Sequence, residues 1–216
     1  MFDDPVFLAP MAGVTDTAYR VIAHDMGCPL AFAEMVSSQG IHYRNEHTMK
    51  MLRTEAGERP IAMQIFAKSA AMAAEAAAYI EEIGTADILD FNMGCPAPKV
   101  VKNGEGSALM REPKKAEEIL TAIRRATKLP FTVKMRLGWD DASRNAVEIA
   151  KMAEAVGVGA RPRRRQSCRA RSAAPMRPAS WPALEMTTGM AGRWARAVRC
   201  ASRLSRTGVS RMSPAS

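Results

Sequence analysis

The stretch Ile88-Leu89-Asp90-Phe91-Asn92-Met93-Gly94-Cys95-Pro96 decides the organisation of this chain. An apolar run ends there in loop-forming residues. This pattern is typical of a buried strand followed by a loop whose backbone is held close to another group. Gly94 carries no Cβ, and Pro96 fixes the direction in which the chain leaves. An isolated cysteine is more often a buried apolar residue, and we interpret Cys28 in that way. The loop setting of Cys95 instead makes its thiol the first candidate for chemistry.

Five apolar segments predict strands, and helical segments separate them. The predicted strands are residues 6–9, 30–33, 60–66, 88–91 and 130–136. Strands of this kind that alternate with helices form parallel sheets, so the fold class is α/β. A doubly wound sheet and a TIM (β/α)8 barrel both remain open. No Gly-x-Gly-x-x-Gly motif follows the first predicted strand, which weakens the case for a doubly wound sheet of the dinucleotide-binding type.

Helices are predicted from their apolar spacing between the strands. One of them begins near residues 15–17, and another follows Pro113, which the first turn of a helix tolerates. The residues predicted to face the core are Ala18, Val21 and Ile22 in the first helix, and Ala116, Ile119, Leu120 and Ile123 in the second.

Polar or special residues lie at or just past the C-terminal ends of the predicted strands, where a barrel carries its active site. They include Pro10, Met11 and Ala12, then Gln64, Asn92 with Cys95, and Lys134 with Arg136. A lysine inside an apolar strand is costly unless it is paired or functional. Arg136 has an alternative interpretation as the structural partner of Asp90 or Asp140.

The charge of the chain is divided sharply near residue 159. Residues 160–216 contain 13 Arg, no Lys and one acidic residue, whereas residues 1–159 contain 18 Lys+Arg and 21 Asp+Glu. We therefore predict two parts, with the boundary at 159/160. The second part has a composition typical of disorder. It is interpreted as a nucleic-acid-binding tail, a native low-complexity extension or, as we favour, a frameshifted translation of GC-rich DNA.

Several classes of protein are disfavoured. The four cysteines form no Cys-x-x-Cys pair and only three histidines are present, so we expect no metal site. The acidic start Met1-Phe2-Asp3-Asp4 is unlike a secretory leader. No run of about 18 apolar residues predicts a membrane span. We expect a cytoplasmic protein.

An ordered set of motifs resembles the tRNA-dihydrouridine synthase family over residues 6–157, with the bacterial branch often labelled nitrogen-regulation-like as the best match. The motifs are Ala9-Pro10-Met11-Ala12-Gly13-Val14-Thr15-Asp16, Glu34-Met35, Gln64-Ile65-Phe66, Asn92-Met93-Gly94-Cys95-Pro96, Gly106-Ser107-Ala108-Leu109 and Val133-Lys134-Met135-Arg136-Leu137-Gly138-Trp139.

The resemblance implies a TIM barrel that binds FMN, uses NADPH as reductant and reduces a uridine of tRNA. It implies that Cys95 is the proton donor. It further implies that Pro10, Met11 and Ala12 line the flavin, that Gln64 and Lys134 bind its ring, and that Asn92 contacts the base. Lys99 and Arg136 are candidate contacts to the substrate, although Lys99 has an alternative interpretation as a solvated charge. We expect a monomer.

The chain departs from the family after residue 157, because the later strands that carry the flavin-phosphate site, and the helical tRNA domain, have no counterpart in its sequence. We therefore expect a barrel truncated after about five units, with weak or no FMN binding and no activity. Two other functions stay open. They are another FMN-dependent barrel oxidoreductase, such as a dihydroorotate dehydrogenase relative, and a non-enzymatic basic RNA-binding protein.

Overall fold

The computed structural model describes residues 6–158, and the predicted tail 160–216 lies outside them. The strands are β1 (Ala31–Ser37), β2 (Ile61–Phe66), β3 (Ile88–Met93) and β4 (Phe131–Met135). The helices are α1 (Thr17–Asp25), α2 (Ser38–His42), α3 (Glu46–Met51), α4 (Ala70–Glu82), α5 (Pro98–Lys102), α6 (Pro113–Ala126) and α7 (Ala146–Ala155). Two 3-10 helices cover Ala56–Glu58 and Gly106–Arg111.

The four strands form one parallel sheet in the order β1-β2-β3-β4. Each pair of neighbours is joined by a connection that contains at least one helix, as parallel strands require. The prediction of a parallel α/β fold is confirmed at this level. All strands point the same way, so their C-terminal ends meet at one edge of the sheet.

The predicted first strand, residues 6–9, does not form a regular strand. Leu8 makes a single parallel bridge to Ala31, with Leu8 N–H donating to Leu30 O at 3.1 Å and Phe32 N–H donating to Leu8 O at 2.9 Å. The segment is too short to continue the ladder. The predicted second strand was in turn too short, because β1 continues to Ser37.

The core lies between the sheet and the helices that cover it. In α6 the predicted residues Ala116, Ile119, Leu120 and Ile123 are all buried, as expected. In α1 the prediction was wrong for Ala18 and Ile22, because Ala18 is exposed and Ile22 is 58% exposed, while Val21 is half-buried. The buried residue of this helix is Arg20. That burial is possible because Arg20 has a charged partner, Glu58.

Candidate active site

Three of the predicted site residues lie on neighbouring strands near the C-terminal edge of the sheet. Gln64 is in β2, Asn92 in β3 and Lys134 in β4, and all three are buried. Asn92 is the register partner of Lys134, and Gln64 is the register partner of Asp90. Residues two apart in a strand share a face, so these side chains belong to one face of the sheet. The structure therefore brings together three of the residues that the sequence analysis placed at the C-terminal ends of the strands.

Asn92 links the strand to the cysteine loop. Its side-chain Nδ2 donates to Gln64 Oε1 at 2.8 Å. Its Oδ1 accepts two backbone hydrogen bonds, from Gly94 N–H at 3.0 Å and from Cys95 N–H at 2.9 Å. The backbone of the cysteine loop is thus fixed from within the sheet, and Cys95 itself is half-buried.

The carbonyl side of Cys95 is held by a second segment. Ser107 N–H donates to Cys95 O at 3.0 Å. Gly106 has a φ of +58°, and a Cβ at that position would lie 2.7 Å from Cys95 O. Only glycine adopts this backbone conformation readily and leaves space for the carbonyl. The predicted motif that begins at Gly106 therefore packs against the cysteine loop.

A buried carboxyl group that the sequence had not marked as a site residue lies beneath this arrangement. Asp90 has no exposed surface, and it accepts hydrogen bonds from Thr132 Oγ1 and from Gln64 Nε2, each at 2.5 Å. Burial raises the pKa of Asp90 to about 7, while the bonds from Thr132 and Gln64 and the charge of Lys134 oppose the rise. Asp90 and Thr132 thus extend the polar face downwards from Gln64.

The loop that contains Pro10, Met11 and Ala12 is tied to Thr15, two residues before α1, and to Glu34 of β1. Met11 N–H donates to Thr15 Oγ1 at 3.0 Å, and Gly13 N–H donates to Glu34 Oε2 at 2.5 Å. Pro10 and Met11 are half-buried, whereas Ala12 is exposed. The conformation of this loop is therefore set by side chains outside it.

The two remaining predicted residues differ in their surroundings. Lys99 is exposed on α5. Arg136 is half-buried, and its Cγ lies 3.5 Å from the position of a Cβ on Gly94. Within residues 6–158 no ion pair involves Arg136, so the alternative of an Arg136–Asp90 or Arg136–Asp140 pair is not realised there. Arg136 instead packs beside the cysteine loop.

The polar groups of this face fit a flavin ring, which carries several hydrogen-bond acceptors and one N–H donor. Gln64 Nε2 uses one N–H for Asp90, and an amide nitrogen has a second. Lys134 adds a positive charge at the same edge, where it is 8% exposed.

Among the described residues there is no group of three or more metal-ligating side chains, and none of their helices has the length and apolar character of a membrane span.

The four parallel strands and the helices that connect them define a parallel α/β fold, with the cysteine loop at the C-terminal edge of its sheet. The family model for dihydrouridine synthase matches residues 7–161. A probable tRNA-dihydrouridine synthase from Rhizobium leguminosarum bv. phaseoli is 45% identical over 153 residues, which are 71% of this chain and 48% of the relative. The tRNA-dihydrouridine synthase B of Pseudomonas aeruginosa is 42% identical over 155 residues, or 72% of this chain and 46% of the relative.

The chain therefore belongs to the dihydrouridine synthase family, a family of oxidoreductases. It spans about half the length of the curated relatives that it matches. The resemblance inferred from the motifs is confirmed at the level of the family. The roles of the individual site residues remain predictions.

Sequence reasoning missed Asp90 and Thr132 as members of the site. A signal was available, because Asp90 and Asn92 are two residues apart in a strand and so share a face. The partner of Asp90 depends on the register between strands, which brings Gln64 opposite it. That pairing joins residues 26 positions apart and cannot be read from the local pattern.

Proposed function

We propose that this chain carries the cysteine site of a tRNA-dihydrouridine synthase, which reduces a uridine of tRNA to 5,6-dihydrouridine with FMN as cofactor and NADPH as reductant. The observation that carries the proposal is the hydrogen-bonded loop from Asn92 to Cys95, beside Gln64, in a chain of the dihydrouridine synthase family. A half-buried thiol at the C-terminal edge of a parallel sheet supports the role of a proton donor.

The fold that accompanies this function is a TIM barrel. We propose that the four parallel strands, with the bridged segment at Leu8, are consecutive units of such a barrel. The change in composition at residue 159 supports a barrel portion within 1–159 and a separate segment 160–216. Polar groups at the C-terminal ends of the strands are where this barrel would bind its ligands.

The flavin would be held by residues of three regions. Gln64 and Lys134 would bind the polar edge of its ring, and the loop of Pro10, Met11 and Ala12 would lie along it. When bound, FMN supplies the hydride that no protein side chain can provide. The ammonium of Lys134 would place a positive charge beside the ring, which favours a negatively charged ring.

Saturation of the uracil C5=C6 bond needs a hydride at C6 and a proton at C5. Cys95 Sγ–H would give its proton to C5 and become a thiolate, which then takes up a proton from solvent. Asn92 would contact the base, and its Oδ1 accepts from the N–H groups of Gly94 and Cys95, which fixes the backbone that carries the thiol. The target base must leave its stack to reach such a pocket.

Contacts to the rest of the tRNA would involve positive charge near the loop. Arg136 packs beside Gly94, and Lys99 is exposed on α5, which directly follows the cysteine loop. Either cation would be placed to meet a phosphate group of the tRNA. We further propose a monomer that acts in the cytoplasm, where tRNA is modified.

Two measurements on the full 216-residue chain test the proposal. The first is binding of FMN and of riboflavin, followed by flavin fluorescence. Gln64 and Lys134 are proposed to bind the flavin ring, and no residue is proposed to bind the phosphate group of FMN. We therefore expect weak binding, with similar affinity for FMN and for riboflavin. Lys134→Met should weaken both at least fivefold. Stoichiometric, tight FMN would contradict the expected weak binding, and equal binding by Lys134→Met would remove Lys134 from the flavin site.

The second measurement is dihydrouridine formation in unmodified tRNA with excess FMN and NADPH, quantified by mass spectrometry. Any activity should fall about 100-fold or more in Cys95→Ala, as expected for loss of a general acid. Cys28→Ala is the matched control and should retain it. Full activity in Cys95→Ala would favour a different FMN-dependent oxidoreductase.

A further inference from the structure

Asp90 is the most deeply buried ionisable group at the site, and no step of the proposed function uses it. It has no exposed surface and lies in the middle of β3. Its two oxygens accept from different strands, Oδ1 from Thr132 in β4 and Oδ2 from Gln64 in β2. A buried carboxyl group is costly even when hydrogen-bonded. The cost of burying Asp90 is explained if its hydrogen bonds fix the positions of Gln64 and Thr132.

The hydrogen bonds above Asp90 have a direction. An ionised carboxylate only accepts, so the Nε2 end of Gln64 faces Asp90 and the Oε1 end faces Asn92. Gln64 Oε1 accepts from Asn92 Nδ2 at 2.8 Å, which turns Asn92 Oδ1 towards the loop. There Oδ1 accepts from the N–H groups of Gly94 and Cys95. The chain of bonds thus runs from the loop N–H groups down to the carboxyl group without reversing.

Both ends of this chain require the same orientation of the amides. At the upper end two backbone N–H groups need an oxygen, and at the lower end the carboxylate needs an N–H donor. A rotated Gln64 would present oxygen to oxygen at Asp90 and nitrogen to nitrogen at Asn92. We propose that Asp90 is a positioning residue, which acts through Gln64 and Asn92 to hold the backbone of Gly94 and Cys95 and hence the thiol.

Thr132 adapts this relay of Asp90, Gln64 and Asn92 to the charge of Asp90. A hydroxyl both donates and accepts, so Thr132 can reverse its bond when Asp90 carries a proton on Oδ1. The Gln64 bond then keeps its direction, and the loop keeps its acceptor. Lys134 in β4 is the charged group that acts on Asp90 from the neighbouring strand. The inference rests on the proposed function only where it assigns chemistry to Cys95.

The experiment measures the backbone directly. Selective 15N-cysteine labelling of the full chain allows amide hydrogen exchange of Cys95 to be followed by NMR. Cys28 is an internal reference, because its N–H donates to the backbone oxygen of Ala23 at 2.9 Å and takes no part in the relay. Asp90→Ala should speed the exchange of Cys95 at least tenfold relative to Cys28. Asp90→Asn keeps an oxygen for Gln64 and should stay within threefold of the parent chain.

A second variant tests whether the effect passes through Gln64. Gln64→Met has nearly the same shape and cuts the relay above Asp90. It should match Asp90→Ala, and the double variant should exchange no faster than either single one, because both break the same path. Unchanged exchange of Cys95 in Gln64→Met, or multiplied effects in the double variant, would overturn the proposal. If Asp90→Ala does not fold, unchanged exchange of Cys95 in Gln64→Met still overturns the proposal.

The outcomes separate this proposal from the proposed function. If exchange of Cys95 responds as stated and Cys95→Ala still forms dihydrouridine, the positioning role stands and the chemistry assigned to the thiol fails. If Asp90→Ala speeds Cys95 and Cys28 equally, the carboxyl group stabilises the whole domain and the positioning role is wrong.

Discussion

The loop of Cys95 and the loop of Met11 meet the same edge of the sheet, but the chain holds them by different means. The cysteine loop is held by hydrogen bonds through the neutral side-chain amides of Asn92 and Gln64, on adjacent strands. This series of bonds ends at one carboxyl group, Asp90. The Met11 loop is held through Thr15, whose backbone oxygen accepts from Arg20 Nη1 at 2.5 Å. Arg20 is in turn paired with Glu58, Nε to Oε2, also at 2.5 Å.

The difference lies in what is left behind when one member is removed. Loss of an amide from the relay leaves an unsatisfied polar group, which costs about 1–3 kcal/mol. Loss of one partner from a buried ion pair leaves an uncompensated charge and costs about 3–5 kcal/mol. Arg20 and Glu58 are only 3% and 0% exposed. The Met11 loop should therefore be coupled to global stability, and the cysteine loop should be adjustable without unfolding.

Arg20→Met should have the largest effect. It leaves Glu58 buried without its cation, so the free energy of unfolding should fall by about 3–5 kcal/mol, measured by urea denaturation. Lys50→Met is the matched control, because the Lys50–Glu46 pair is 59% and 85% exposed and should contribute only about 0.3–0.5 kcal/mol. Similar losses in the two variants would show that burial of the Arg20–Glu58 pair does not matter.

Gly106→Ala should come next and should act on the cysteine loop. The left-handed conformation and the contact of the new Cβ with Cys95 O together should cost about 2–3 kcal/mol. Gly84→Ala separates the two causes, because Gly84 has a φ of +65° and nothing within 4 Å of an added Cβ. It should cost about 1 kcal/mol from backbone strain alone. Equal losses in urea denaturation would contradict a close contact at Cys95.

The features of this comparison that the sequence could predict are those carried by local periodicity. The stripe of α6 and the apolar segments of β2, β3 and β4 were found because spacing along one element decides which residues face the core. The position of Cys95 after a strand followed from the same pattern. Gln64, Asn92 and Lys134 were assigned to one site because parallel strands end at a common edge.

The features that could not be predicted depend on contacts between distant segments. Arg20 is buried because Glu58, 38 residues away, lies opposite it, and a polar residue in a helix gives no sign of such a partner. The ion pair decides which face of α1 is buried. Ile22 is therefore exposed, although its spacing had assigned it to the core. Asp90 was not assigned to the site because its donors come from two other strands.

The pH dependence of stability should give the smallest effect and bears on the lower end of the relay. Burial raises the pKa of Asp90 to about 7, whereas an unfolded chain has an Asp pKa of about 3.9. Between these two pKa values the folded chain binds more protons than the unfolded chain, so the free energy of unfolding falls as the pH rises. The contribution of Asp90 to stability is therefore most favourable below about pH 4. It is lost as the pH rises towards and through 7. Between pH 6 and 8 this loss should amount to about 1 kcal/mol.

Asp90→Asn removes this titration and leaves every other group in place. Urea denaturation of both chains at pH 6, 7 and 8 should show the parent losing stability relative to Asp90→Asn as the pH rises, with the histidine contributions cancelling in the difference. Thr132→Val sharpens the test. It removes the hydrogen bond that most opposes the raised pKa of Asp90, so the loss should move to higher pH. A difference that is constant with pH, or that changes in favour of the parent chain, would mean that Asp90 is already ionised at pH 6.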